Sequence, residues 1–233
     1  MLDLIGLWRD RPHWARALDG IAGRELAAIL ERGTKAGDKG LQVLGFWGGT
    51  RRHLLTRRKG VKKIEDLTSL RLRIPLNPVR SKMWKTLGVQ PILPIQADIS
   101  AALRDSSVEG VEEEAEVILQ ARLYETASHL TETGHTIATR LFLISKPAWG
   151  RLTRAQQAAI TTAAQRAAGA ARTSEESRET ETLIALKERF GVNLHRFAAY
   201  EEIRARTQVF RTRYAEELNA ARLFTLIENT AKP

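Results

Sequence analysis

Apolar residues recur at helical spacing from Asp10 to Arg32, where Trp14, Leu18, Ile21, Leu26 and Ile29 share a face and Gly33 ends the pattern. Leu41 to Trp47 (LQVLGFW) is an apolar run with turn residues on both sides, which predicts a strand. IEDLTSL predicts a short helix feeding the strand RLRIP, Arg71 to Pro75. Pro78 to Leu87 reads as a helix closed by Gly88, VQPILPI as an extended segment, and Asp98 to Asp105 as helix. VEGVEE predicts a strand running into a turn, and Glu116 to Leu130 another helix. RLFLISK, Arg140 to Lys146, is strand-like. A long helix rich in Ala, Glu, Arg and Gln follows from Thr153 to Arg189, with Thr153 as N-cap, Gln156 in the capping-box position and Gly191 just past its basic end. VNLHRF then predicts a strand and Tyr200 to Ala221 a closing helix. Strands alternating with helices, without an internal repeat, imply an α/β fold with mostly parallel pairing.

Length permits one large domain or two lobes around sizeable cores, since the chain has 233 residues. The absence of cysteine removes disulfides, thiol catalysis and thiolate metal sites. Apolar runs such as LFLISKPAW are too short to cross a bilayer. The opening MLDLIGLWRDRPHW has no basic n-region, apolar h-region or small-residue cleavage site, so no signal peptide is visible in it. Thirty-seven Lys and Arg against 27 Asp and Glu leave a net charge of +10, which attracts anions in general. The dense basic run, Arg51 to Lys63 (RRHLLTRRKGVKK), has no interleaved aromatic residue to stack on bases, so no nucleic acid is expected as a partner.

Catalytic signatures are equally absent. There is no Gly-x-Ser-x-Gly and no phosphate loop, and His13, His53 and His195 lack metal-ligand spacing. The acidic cluster Glu112 to Glu116 lacks the alternating oxygen ligands of a calcium loop. No enzyme, cofactor or metal site is therefore expected.

The order of segments carries a resemblance. Trp47-Gly48-Gly49-Thr50-Arg51 is followed by IEDLTSLRLRIP, then by LGVQPILPIQADISAALRDSSVEGVEEE. A Tyr124-Glu125 pair, the TGH of Thr133 to His135, and LFLISKPAWGRLTRAQQAAI complete the series. From about Trp8 to about Phe197 the chain resembles the solute receptors of tripartite ATP-independent periplasmic (TRAP) transporters, of the dicarboxylate-receptor type. The resemblance implies a two-lobed α/β clamshell with a long lobe-spanning helix, which binds a small organic acid and delivers it to membrane permease subunits. It implies a periplasmic location too. Relative to such receptors the chain lacks the N-terminal part, so the first lobe is expected to be incomplete.

The family pattern assigns the ligand carboxylate to Arg73, the arginine of the RLRIP strand. A planar guanidinium fork suits a carboxylate and keeps its charge at every relevant pH. For a second arginine the Gly-x-Arg pattern favours Arg51, while Arg52 competes because its spacing to Arg73 fits better. Trp47 is a candidate aromatic wall, or a core residue. Glu113 departs from the family, standing where an asparagine usually donates to the ligand. An ionised carboxylate offers no donor, so Glu113 would repel a ligand carboxylate or engage Arg73 itself. That disfavours a plain dicarboxylate ligand and favours a zwitterion or hydroxylated monocarboxylate. The resemblance places residues 1–46 and 142–190 in the first lobe and 47–141 with 191–233 in the second, with hinges near Phe46 and Leu141. Two alternatives remain: a truncated remnant that binds nothing, and a basic module for nucleic acid or an anionic surface. The oligomeric state is left open.

Overall fold

The computed structural model describes residues 1–32, 40–93 and 99–230. The expected helix stop at Gly33, the end of VQPILPI and the helix start at Asp98 lie outside the described residues.

The N-terminal helical pattern forms two helices, α1 (Arg11–Asp19) and α2 (Ile21–Arg32), because Gly20 is extended between them (φ −93°, ψ −153°). The Asp10 side chain caps α1 by accepting from His13 N at 2.6 Å. β1 (Leu41–Thr56) continues well beyond the expected LQVLGFW, through GGTRRHLL. A 3-10 turn (Ile64–Leu67), β2 (Arg71–Arg73), α3 (Pro78–Thr86), β3 (Gln90–Ile92), α4 (Ile99–Arg104) and β4 (Gly110–Glu114) follow.

The helix expected over Glu116 to Leu130 is cut short. α5 (Ala115–Gln120) ends before Arg122, which is left-handed (φ 52°, ψ 32°) and starts a 3-10 turn instead. β5 (His129–Ser145) then begins earlier than RLFLISK predicts, its first half being rich in β-branched threonines. α6 (Lys146–Trp149) leads to α7 (Arg154–Glu188), 35 residues long and opened by the expected capping box. Thr153 N donates to Gln156 Oε1 at 2.9 Å, and Gln156 N to Thr153 Oγ1 at 3.3 Å. β6 (Asn193–Arg196) precedes α8 (Tyr200–Glu217) and α9 (Ala221–Asn229), which are separated near Asn219, another left-handed residue (φ 52°).

The strands form one mixed sheet in the order β3-β2-β4-β1-β5-β6. β2 runs parallel to β3 and β4, and β6 parallel to β5, while β4 is antiparallel to β1. Among the described residues no helix is long and apolar enough to cross a membrane.

The chain divides into two compact units. Unit 1 comprises Met1–Leu7, Thr50–Ile137 and Ser177–Tyr214, and unit 2 Trp8–Gly49, Ala138–Glu176 and Ala215–Pro233. The chain passes between the units at 49–50 and 137–138. The division also falls within α7, so residues 177–190 group with unit 1, and α9 groups with unit 2. Packing explains this. Leu183 and Leu186 of α7 join Leu55, Val111, Ile118 and Leu130 in the core of unit 1. In unit 2, His13 of α1 lies 2.8 Å from the Ile227 carbonyl of α9, and Leu223, Phe224 and Ile227 are buried.

Candidate functional site

The site grows from the second half of β1. Gly48 has φ 111°, and a Cβ there would stand 2.3 Å from the Ala138 carbonyl oxygen, so the close approach of β5 to β1 at this point requires glycine. From Thr50 onward, alternate residues face opposite sides of the sheet. Arg51 and His53 take the α7 side. There the buried Glu179 carboxylate accepts from Arg51 N (2.7 Å) and Arg51 Nε (2.9 Å) and lies 3.4 Å from His53 Nε2.

Arg52, from the other side, lies opposite Glu114 in the antiparallel register. Its Nη2 donates to the Glu112 carbonyl at 2.7 Å and stands 3.0 Å from Glu113 Oε2; Nη1 is 3.8 Å from Glu114 Oε1. Burial works against the Arg52 charge, but the carboxylates of Glu112, Glu113 and Glu114 more than offset it and push its pKa up. The parallel register of β2 with β4 sets Arg73 beside Val111, so Glu113, two residues on, shares its face. Arg73 Nη1 donates to Glu113 Oε1 at 3.2 Å. Glu113 is therefore bridged by two arginines, one on each oxygen. Arg73 Nε is buried and has no hydrogen-bond partner.

Beneath this bridge is a fully enclosed polar platform. Asn77 caps α3 and Pro78 opens it, which places Arg80 and Trp84 four residues apart on one helix face. Both reach Glu112, which has no exposure: Arg80 Nη1 donates to Oε1 and Trp84 Nε1 to Oε2, each at 2.7 Å. His135 Nε2 donates to Glu112 Oε2 at 2.9 Å, because a carboxylate can only accept. That tautomer leaves His135 Nδ1 to accept from the Thr133 hydroxyl at 2.8 Å. Burial lowers the His135 pKa to about 4 despite the Glu112 hydrogen bond, so the ring is neutral at pH 7. Burial pushes Glu112 upward, but His135, Arg80 and Arg52 outweigh it and hold the carboxyl below its usual range. Arg52, Arg73 and Arg80 thus face Glu112, Glu113 and Glu114, three cations against three anions, with the exposed Asp3 3.7 Å from Arg80 at the edge.

Of the candidate residues, Arg73, Arg52 and Glu113 converge. Arg51, favoured by the Gly-x-Arg pattern, is instead engaged by Glu179. Trp47 belongs to unit 2, where it stacks on Phe142 at 5.7 Å with the Arg140 guanidinium 5.3 Å above its ring, an arrangement of packing. Sequence reasoning missed Arg80, Trp84, Glu112 and Glu179. The i, i+4 spacing of Arg80 and Trp84 was legible, but nothing local tied them to the glutamate run that begins at Glu112, and Glu179, in the middle of a long polar helix, had no signal.

Residues 7–219 match the family model described as bacterial extracellular solute-binding protein, family 7 (DctP). The chain belongs to this family. It is 32% identical over 168 residues to a solute-binding protein of Verminephrobacter eiseniae, covering 72% of this chain and 48% of that protein. It is 30% identical over 167 residues to the 2,3-diketo-L-gulonate-binding periplasmic protein YiaO of Escherichia coli, covering 72% and 49%. A crystal structure of a TRAP periplasmic solute-binding protein from Roseobacter denitrificans with bound β-D-glucuronate superposes with a TM-score of 0.84 at 25% identity, covering 99% of this chain and 74% of that one. The α/β fold is that of the TRAP solute-binding proteins. The chain spans about half the length of the curated relatives it matches.

Proposed function

We propose that this family 7 chain recognises a hydroxylated monocarboxylate, of the sugar-acid class, through Arg73 and Arg52 in the periplasm, and passes it to TRAP membrane permease subunits. It acts by binding and not by catalysis. One observation carries the reading: Arg73 has a buried Nε without a partner, beside a carboxylate already held between two guanidinium groups. The Nε–Nη2 edge of a guanidinium is a fork that binds carboxylate in bidentate fashion, and exclusion of water strengthens it.

Charge balance selects the ligand. Because Arg52, Arg73 and Arg80 already face three carboxylates, the first ligand carboxylate must share Arg73 with Glu113 in a poorly solvated place. One carboxylate is met by Arg73; a second has no cation left. Glu113 and Glu114 accept hydrogen bonds and reward ligand hydroxyls. Diketo-L-gulonate and β-D-glucuronate, the ligands of two relatives, are both monocarboxylates rich in oxygen, which supports this choice.

Calorimetric titration with D-glucuronate and 2,3-diketo-L-gulonate tests the proposal. Wild-type protein is expected to bind at least one sugar acid, and Arg73→Ala to bind it about a hundredfold more weakly with its far-ultraviolet circular dichroism unchanged. A folded wild-type chain that bound no sugar acid would favour the remnant reading, and undiminished binding by Arg73→Ala would remove Arg73 from the site.

A further inference from the structure

A second constellation in unit 1 is left unexplained by acid recognition. It is a cavity of about 280 Å³ walled by Arg57, Arg58, Lys59, Arg71, Ser106 and Glu109. Three chain segments are laced together to make it: Arg57 N donates to the Glu109 carbonyl at 3.0 Å, and Glu109 N to the Arg71 carbonyl at 2.8 Å. Thr56 Oγ1 donates to the Lys59 carbonyl at 2.6 Å and fixes the turn that carries the basic residues. The walls are therefore held chiefly by backbone bonds, to which the Glu109 carboxylate adds one by accepting from Arg71 N at 3.2 Å.

Four cations line the cavity against the single Glu109 carboxylate, leaving +3. Their existing partners neutralise them weakly. Arg71 Nε is 3.5 Å from Glu109, both side chains being about two-fifths exposed, and the exposed Lys59 Nζ is 3.4 Å from the half-buried Asp66. Arg57 donates to the neutral Ser106 hydroxyl, with the exposed Asp105 as a nearby charge. Arg58 is exposed and has no hydrogen bond or ion pair among the described residues. A concave site with walls of one charge sign concentrates anions, and guanidinium forks fit phosphate oxygens. No aromatic side chain lines the cavity, so stacking of a nucleobase has no support. Its volume falls at the small end for ligand pockets.

We infer that this cavity is an anion site for a small phosphate ester, with Arg57, Arg58 and Arg71 as its phosphate ligands. The chemistry is common to a free phosphomonoester and to the glycerophosphate headgroup of an anionic lipid. It does not depend on the sugar-acid reading, because the residues of the two sites are different.

The test uses the full chain and two probes, with glycerol 3-phosphate titrated calorimetrically and vesicles of phosphatidylglycerol in phosphatidylcholine co-sedimented. Saturable binding with one site per chain, weakened about tenfold by Arg58→Ala and by Arg57→Ala, is expected for at least one probe. Arg213→Ala removes the same charge from an exposed position on α8 and is expected to bind like wild type. Binding of the soluble ester points to a free metabolite; binding of vesicles alone, with the same Arg58 dependence, points to the headgroup. If neither probe binds, or if Arg58→Ala and Arg213→Ala lose affinity equally, the effect is that of net charge and the site does not exist.

Discussion

β4 is preceded by Glu109 and nears its end at Glu113, and each glutamate sits in its own arginine cluster. Four residues of strand separate them by about 13 Å. The cluster at Glu113 is largely enclosed, Glu112 and Arg80 being buried and Arg52, Arg73 and Glu113 half-buried, and each of its guanidinium groups is matched by a carboxylate. The cluster at Glu109 is half open to solvent and carries a surplus of cations. Burial accounts for the difference. An unpaired charge in the interior costs several kcal/mol, so the inner cluster had to be balanced within the chain, whereas water tolerates the outer excess. The inner site therefore discriminates by hydrogen-bond geometry, and the outer one attracts by charge. Affinity at the outer site is expected to fall steeply with salt and that at the inner site to change little.

The contrast breaks most visibly at Arg80. Arg80→Ala strips Glu112 of its closest cation inside a dry core, and a loss of about 3–5 kcal/mol in urea unfolding is expected. Arg58→Ala, in the outer cluster, should stay within about 0.5 kcal/mol of wild type. Comparable small losses at both positions would mean that the inner balance is not what holds Glu112 in place.

Acid probes the same platform. The folded pKa of His135 is about 4 against an ordinary 6.5. The unfolded chain therefore takes up this proton first as pH falls, and stability is lost from about pH 6.5 downward. Between pH 7 and pH 5 the expected cost is about 2 kcal/mol. Glu112, held ionised in the fold, adds to the loss only below its ordinary carboxylate range. His135→Gln should flatten the slope between pH 7 and pH 5. An unchanged slope in that variant would assign it to other groups.

A smaller shift sharpens the selectivity argument. Glu113→Gln removes one anion and frees cationic charge for ligand carboxylates, so a dicarboxylate such as D-glucarate should gain about tenfold in affinity and D-glucuronate distinctly less. Equal changes for both ligands would show that Glu113 does not read ligand charge.

How much of this was legible in the sequence depended on how far apart the partners lie. The α/β class, the capping box at Thr153 and the engagement of Arg73 by Glu113 follow from short motifs, and their residues meet within one unit. The length of β1 was hidden because Arg51 and Arg52 put polar groups on both of its faces, which erases the period-two signal. Each arginine is tolerated because a carboxylate from another element meets it: Glu179 on the α7 side, and Glu113 and Glu114 on the other. The Glu112 platform draws on α3, β4 and β5, and no local pattern announces a meeting of three elements.

The neighbouring arginines of β1 supply the smallest and most discriminating measurement. Family spacing favours Arg51 as the second ligand residue, yet its guanidinium holds Glu179, which also keeps the backbone Arg51 N–H and the nearby His53 ring. Arg51→Ala should thus cost about 1 kcal/mol of stability and leave sugar-acid affinity within about twofold of wild type. Arg52→Ala frees Glu113 from one of its two cations, and the released carboxylate then competes with the ligand for Arg73, so a loss of about tenfold is expected. If instead Arg51→Ala abolished binding and Arg52→Ala did not, the ligand would displace Glu179 and not Glu113. The selective carboxylate would then lie on α7, and the charge balance around β4 would be purely structural.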